Sequence, residues 1–105
     1  MTKSSDVFIS YSRQDSNFIR KLFDGLQAHG FESWVDWEDI EPTSAWWQSI
    51  KEGIETANNF LFVISPDSIA SPVCNLELEH ARQHNKRIIP LWLRDTDVVV
   101  VTIEE

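Results

Sequence analysis

Residues 59–65, NFLFVIS, are apolar almost without alternation, and that run limits the possible folds more than any other stretch of the chain. Successive strand residues point to opposite faces, so a strand with one wet side alternates apolar and polar side chains. A run lacking that alternation suits a central strand covered on both faces, as in a parallel sheet flanked by helices. The rest of the chain fits: short runs rich in Val, Ile, Phe and Trp alternate with longer runs whose apolar residues fall three and four apart.

VFISYS (7–12) predicts a first strand, followed by a helix with Phe18, Ile19, Leu22, Phe23 and Leu26 on one face. Asp15 or Ser16 can cap its start, and Gly30 stands where a left-handed residue would end it. FESWVD (31–36) reads as a second strand, with Phe31, Ser33 and Val35 on one side and Trp34 on the other. WEDIEPTSA (37–45) is an acidic, proline-bearing loop in which Thr43 or Ser44 caps a helix carrying Trp46 or Trp47, Ile50, Ile54 and Ala57. After the central strand, PDSIA reads as a loop, and Ser71-Pro72 as the cap and first turn of a helix running to about residue 84. KRIIPLWL (86–93) is a fourth strand, which Pro90 assigns to an edge or irregular position because it lacks one ladder donor. The β-branched run at 98–103 follows too closely for a crossover and can only return antiparallel.

The expected architecture is α/β, an open, mainly parallel sheet with helices on both faces. A chain of 105 residues has material for one core, so residues 6–105 form a single domain behind a flexible lead-in at 1–5. The 17 acidic and 9 basic side chains leave a net charge of -8 with no basic cluster, which argues against nucleic acid and anionic lipid as partners. No apolar run approaches the roughly 20 residues of a membrane span, and MTKSSD is not a signal peptide. With one cysteine, Cys74, no intramolecular disulfide can form, in keeping with a cytoplasmic setting. None of the three glycines follows a strand directly, which excludes a glycine-rich phosphate loop.

In such sheets ligands bind beyond the carboxyl ends of the strands, which directs attention to SYSRQD, WEDIEPTSA, SPDSIASP and LRDTD. Glu77 and Glu79 sit early in the helix that follows, where negative charge is favourable whether or not it does chemistry. Glu77, His80 and His84 share one helical face with spacing that zinc could use, but surface histidines are commonly plain polar residues, and no metal is expected there. No histidine can be placed beside Cys74, which reads as a packing residue rather than a nucleophile. Trp46 and Trp47, about 100° apart on a helix, cannot both lie deep in the core.

DVFISYS, the acidic loop, and the run Ser68, Ser71, Cys74, Glu77, Leu78 together resemble the Toll/interleukin-1 receptor (TIR) domain family over residues 6 to about 94. The resemblance implies a flavodoxin-like TIR fold, short at its C-terminus. It implies cleavage of NAD+ at the nicotinamide–ribose bond, with NAD+ as substrate, no cofactor, and Glu77 as the catalytic carboxylate. Tyr11, Ser12 and Arg13 resemble the substrate-facing loop, where Arg13 could hold a pyrophosphate; as a plain surface residue it would pair with Asp15 or Asp36. Ser68, Ser71 and Cys74 join the substrate side through the motif, as do Trp37 and the aromatic candidates Trp46 and Trp47. Many enzymatic members carry tryptophan where this chain has Val73, so those aromatics are the substitutes available. The acidic loop corresponds to the family's BB loop, which implies an assembly interface at Ile40, Glu41 and Pro42 with other TIR domains, including copies of this chain. The alternative implied reading is a non-enzymatic adaptor acting through TIR–TIR self-association in signalling or immune defence.

Overall fold

The computed structural model describes residues 5–36, 44–93 and 98–100. Its strands are β1 (Val7–Ser10), β2 (Ser33–Trp34), β3 (Asn59–Ile64), β4 (Arg87–Leu93) and β5 (Val98–Val100), and its helices α1 (Ser16–Ala28), α2 (Ser44–Thr56), α3 (Pro66–Ile69) and α4 (Pro72–Gln83). They form one five-stranded sheet in the order β2-β1-β3-β4-β5. The first four strands are parallel and β5 runs antiparallel to β4, as the short connection requires.

Strand alternation builds a core on each face. Val7, Ile9, Tyr11, Leu61, Val63 and Leu91 pack with Ile19 of α1 on one side. Phe8, Phe60 and Phe62 pack on the other against Ile50, Ile54, Cys74 and Ala81 of α2 and α4. Central β3 thus has a helix layer on both faces, which explains its unbroken apolar sequence. Across the second face, Trp34, Phe8 and Phe60 stack on neighbouring strands with ring centroids 4.8 and 5.5 Å apart. Gly53 of α2 lets the Trp34 indole approach closely, since a Cβ there would lie 2.7 Å from the ring.

Several local expectations need correction. β1 ends at Ser10, because residues 13–15 tighten into a 3-10 turn capped by Ser12, whose Oγ accepts from the Gln14 N–H. β2 contributes only two residues and Phe31 is exposed, although Trp34 and Val35 do pack on opposite faces as expected. Neither Asp15 nor Ser16 caps α1 by side chain: Asp15 holds the N-cap position, but its carboxylate accepts from Ser65 Oγ at 2.6 Å. PDSIA is not all loop, since Ser65 and Ser68 cap one another across the single turn of α3. β4 is not the outermost strand, since β5 lies beyond it, but Pro90 itself, buried in register with Phe62, has a described neighbour on the β3 side only, as its missing donor asks. The described β5 ladder covers only Leu91–Leu93, so it asks no rung of Pro90.

Other expectations hold. Ser71 caps α4 through the Cys74 N–H with Pro72 in the first turn, and Gly30 has φ +85° behind α1. Ahead of β1, the Ser5 carbonyl accepts from the Asn58 N–H. Among the described residues no helix is long and apolar enough to cross a membrane.

Candidate active site

The order β2-β1-β3 places the strand order's reversal at β1 and β3, and ligands bind beside such a point at the carboxyl ends of the strands. Ser10 closes β1 on the face shared with Phe8, the face that α4 covers. On α4, positions 74, 77 and 81 form the buried stripe, so Glu77 occupies a place where helix periodicity asks for an apolar residue. Glu77 is 5% exposed, and Ser10 Oγ donates a 2.7 Å hydrogen bond to its Oε1.

That setting determines the carboxyl's charge. Burial raises its pKa from 4.5 to about 7, against the opposing pull of the Ser10 hydrogen bond and the Arg13 guanidinium; Asp36 adds a smaller upward push. The cause is desolvation, because a neutral hydroxyl replaces only part of the water that an ionised carboxylate loses. Glu77 is therefore poised to exchange its proton near neutral pH. Glu79, two residues later, is exposed.

A second set of contacts centres on Asp36. Its Oδ2 accepts from Arg13 Nη2 at 3.0 Å and from Trp46 Nε1 at 2.9 Å, and its carbonyl accepts from the Tyr11 hydroxyl at 2.7 Å. The Arg13 guanidinium also lies 4.8 Å from the centre of the Tyr11 ring. Asp36 thereby gathers the loop after β1 and the start of α2. The pairing named for Arg13 as a plain surface residue is thus present, and it brings Arg13 close enough to influence Glu77.

The structure treats the other candidates differently. Tyr11 is buried in the α1-side core with its hydroxyl on Asp36, and Ser12 caps the 3-10 turn. Ser68 is fully buried in its reciprocal cap with Ser65, Ser71 caps α4, and Cys74 lies in the core with its thiol pKa raised by burial. The tryptophans are both partly buried and stack on one another with ring centroids 6.3 Å apart; Trp46 reaches Asp36, while Trp47 meets His80 edge-on at 5.9 Å. Trp37, Ile40, Glu41 and Pro42 lie outside the described residues. Glu77 does not converge with His80 and His84; Glu55 of α2 takes its place beside them. Sequence reasoning missed Ser10, whose only signal was a polar residue on the inward face of β1, and it treated Asp36 merely as a surface partner.

The fold and site define a flavodoxin-like α/β domain with a buried carboxyl group, its pKa raised by burial, at the carboxyl end of its central strands. The chain belongs to the TIR domain family, whose sequence model matches residues 7–103. It is 32% identical over 100 residues to the 2′ cyclic ADP-D-ribose synthase BtTIR of Bacteroides thetaiotaomicron, a match covering 90% of this chain and 35% of that protein. It is 30% identical over 115 residues to the NAD(+) hydrolase ApTIR of Actinoplanes sp., covering 94% of this chain and 16% of that one. Among solved structures, the TIR domain of the Toll-related receptor TRR-2 from Hydra magnipapillata superposes with a TM-score of 0.76 at 28% identity, over 91% of this chain and 76% of that one. The chain thus spans 35% and 16% of the lengths of the two enzymes it matches.

Proposed function

We propose that this domain cleaves NAD+ at the bond between nicotinamide and ribose, with Glu77 as the catalytic carboxylate. The observation that carries the reading is the Ser10–Glu77 hydrogen bond, which fixes a buried carboxyl at the sheet's ligand-binding end. Relatives named as NAD(+) hydrolase and cyclic ADP-ribose synthase supply the substrate class.

The chemistry follows from charge. Nicotinamide departs with the electron pair of the C–N bond, becoming neutral, and positive character passes to the ribose C1′. An ionised Glu77 stabilises that charge or bonds to C1′, in a site where shielding from water strengthens the interaction. Water then adds to C1′ with loss of a proton to give ADP-ribose; a hydroxyl of the same molecule adding in its place gives a cyclic product. The pyridinium is cationic before cleavage, so bound substrate favours the ionised form of Glu77 over the half-protonated group of the free domain. Arg13 suits the pyrophosphate, and Trp46 offers an aromatic wall where Val73 cannot.

Assembly belongs to the same reading. β2 and β5 bound the described sheet, and the half-exposed Ile69 and Leu76 lie on adjacent helices tied by Asn75 Nδ2 to the Ile69 carbonyl. Such edges and apolar residues suit contact with further TIR domains. Following nicotinamide release from NAD+ over a range of protein concentrations, beside light scattering, tests both parts. A rate per chain that climbs with assembly is expected; assembly without nicotinamide release would favour the adaptor reading.

A further inference from the structure

Away from Glu77, the seam between α2 and α4 brings together three side chains that the reaction does not use. His80 and His84 stand one turn apart on α4 and its C-cap, with ring centroids 4.4 Å apart. Both direct Nε2 to the same atom of α2, Glu55 Oε2, at 2.8 Å from His80 and 3.6 Å from His84. The second distance is too long for a hydrogen bond, so a shared proton accounts for one imidazole only. An ion with bonds of about 2.0–2.1 Å holds tetrahedral ligand atoms about 3.3 Å apart, between the two observed distances. The three ligand atoms all lie within 4.8 Å of one another. Trp47 packs edge-on against His80, whose side chain is only 13% exposed, so one ligand is already oriented.

We propose that Glu55, His80 and His84 form a binding site for a borderline divalent transition metal of the zinc class. Two imidazoles and one carboxylate suit zinc, cobalt or nickel, whereas magnesium and calcium prefer all-oxygen sets. Three protein ligands leave the remaining position to water. Two cations lie nearby: the Lys86 ammonium is engaged by the carbonyls of Glu55 and Ala57 at the end of α2, and the Lys51 ammonium lies 5.8 Å from the centre of the Trp47 ring. The ion joins α2, which carries Trp46, to α4, which carries Glu77 one turn before His80. It therefore fixes the spacing of two walls of the candidate active site without touching the reacting atoms.

The test uses untagged, metal-free protein titrated with Co2+, followed by visible d–d absorption, with Zn2+ as competitor and a thermal melt at each endpoint. The expected result is one ion per chain, displacement of cobalt by zinc, and a higher melting temperature. His84→Ala and Glu55→Gln should each weaken binding at least about tenfold, since changes even to outer-shell partners cost that much. Glu55 and His84 are exposed, so both variants should melt like the parent without metal. His29→Ala, at the end of α1, should bind as the parent does. Absence of saturable cobalt or zinc binding, or binding unchanged in both seam variants, overturns the proposal.

Discussion

Ser10 and Glu77, 67 positions apart in sequence, are joined by a 2.7 Å hydrogen bond that ties the end of β1 to the buried face of α4. This bond is the hydroxyl contact that favours the ionised carboxylate against the cost of burial. Ser10→Ala should therefore raise the Glu77 pKa above about 7 and lower NAD+ cleavage at neutral pH, by the order of tenfold, since hydrogen bonds to charged groups contribute about 1.5–3 kcal/mol. Nicotinamide release across pH measures it; an unchanged profile would separate Ser10 from the chemistry.

For the unmodified domain, kcat/KM reports the free protein's ionisations, and the reaction needs Glu77 without its proton. The acidic limb of kcat/KM should accordingly rise through about pH 7, well above an ordinary glutamate at 4.5. A limb centred near 4.5 would contradict the buried setting.

Asp36 acts on Glu77 in two senses: its own charge raises the Glu77 pKa, while it holds Arg13, whose guanidinium lowers that pKa by more. Asp36→Asn should weaken substrate binding, seen as a higher KM, as Arg13 and Trp46 lose their charged acceptor. An unchanged KM would separate the Asp36 cluster from substrate binding.

Stability carries the same proton. The folded-state pKa of Glu77 is raised, so the folded protein binds the proton more tightly than the unfolded chain, and stability falls as pH rises from about 4.5 through 7. Glu77→Gln removes that charge and should melt higher than the parent at about pH 8, by about 1–3 kcal/mol, with the difference fading toward pH 5. Thermal melts at the two pH values check this, and a variant less stable at both would refute it.

Gly53→Ala tests the core beneath the site. Helix propensity alone would make the change stabilising by about 1 kcal/mol. The added Cβ would lie 2.7 Å from a Trp34 ring already stacked on Phe8, so the expected result is destabilisation by about 1–3 kcal/mol in denaturant unfolding. A gain in stability would show that Trp34 can move.

Much of the sheet was legible because its signals are local. The apolar run of β3, the Ser71-Pro72 start of α4 and the short return to β5 each specify their element without help from distant residues. Pro90 marked a position with a described neighbour on one side only, but it could not reveal that β5 pairs with β4 from the very next residue. α3 was hidden because Ser65 and Ser68 spell both a turn and a reciprocal helix cap. At the site, Glu77 was marked by the cysteine–glutamate spacing, but Ser10 and Asp36 acquire meaning only once strand order puts β1 between β2 and β3.

The most direct measurement compares nicotinamide release from NAD+ by the parent, Glu77→Ala and Glu79→Ala at the same protein concentration. The predicted result is activity in the parent, loss to background in Glu77→Ala, and near-parental activity in Glu79→Ala, whose carboxylate is exposed on the same helix. Equal rates for the parent and Glu77→Ala would contradict the assignment of the reaction to the buried carboxylate.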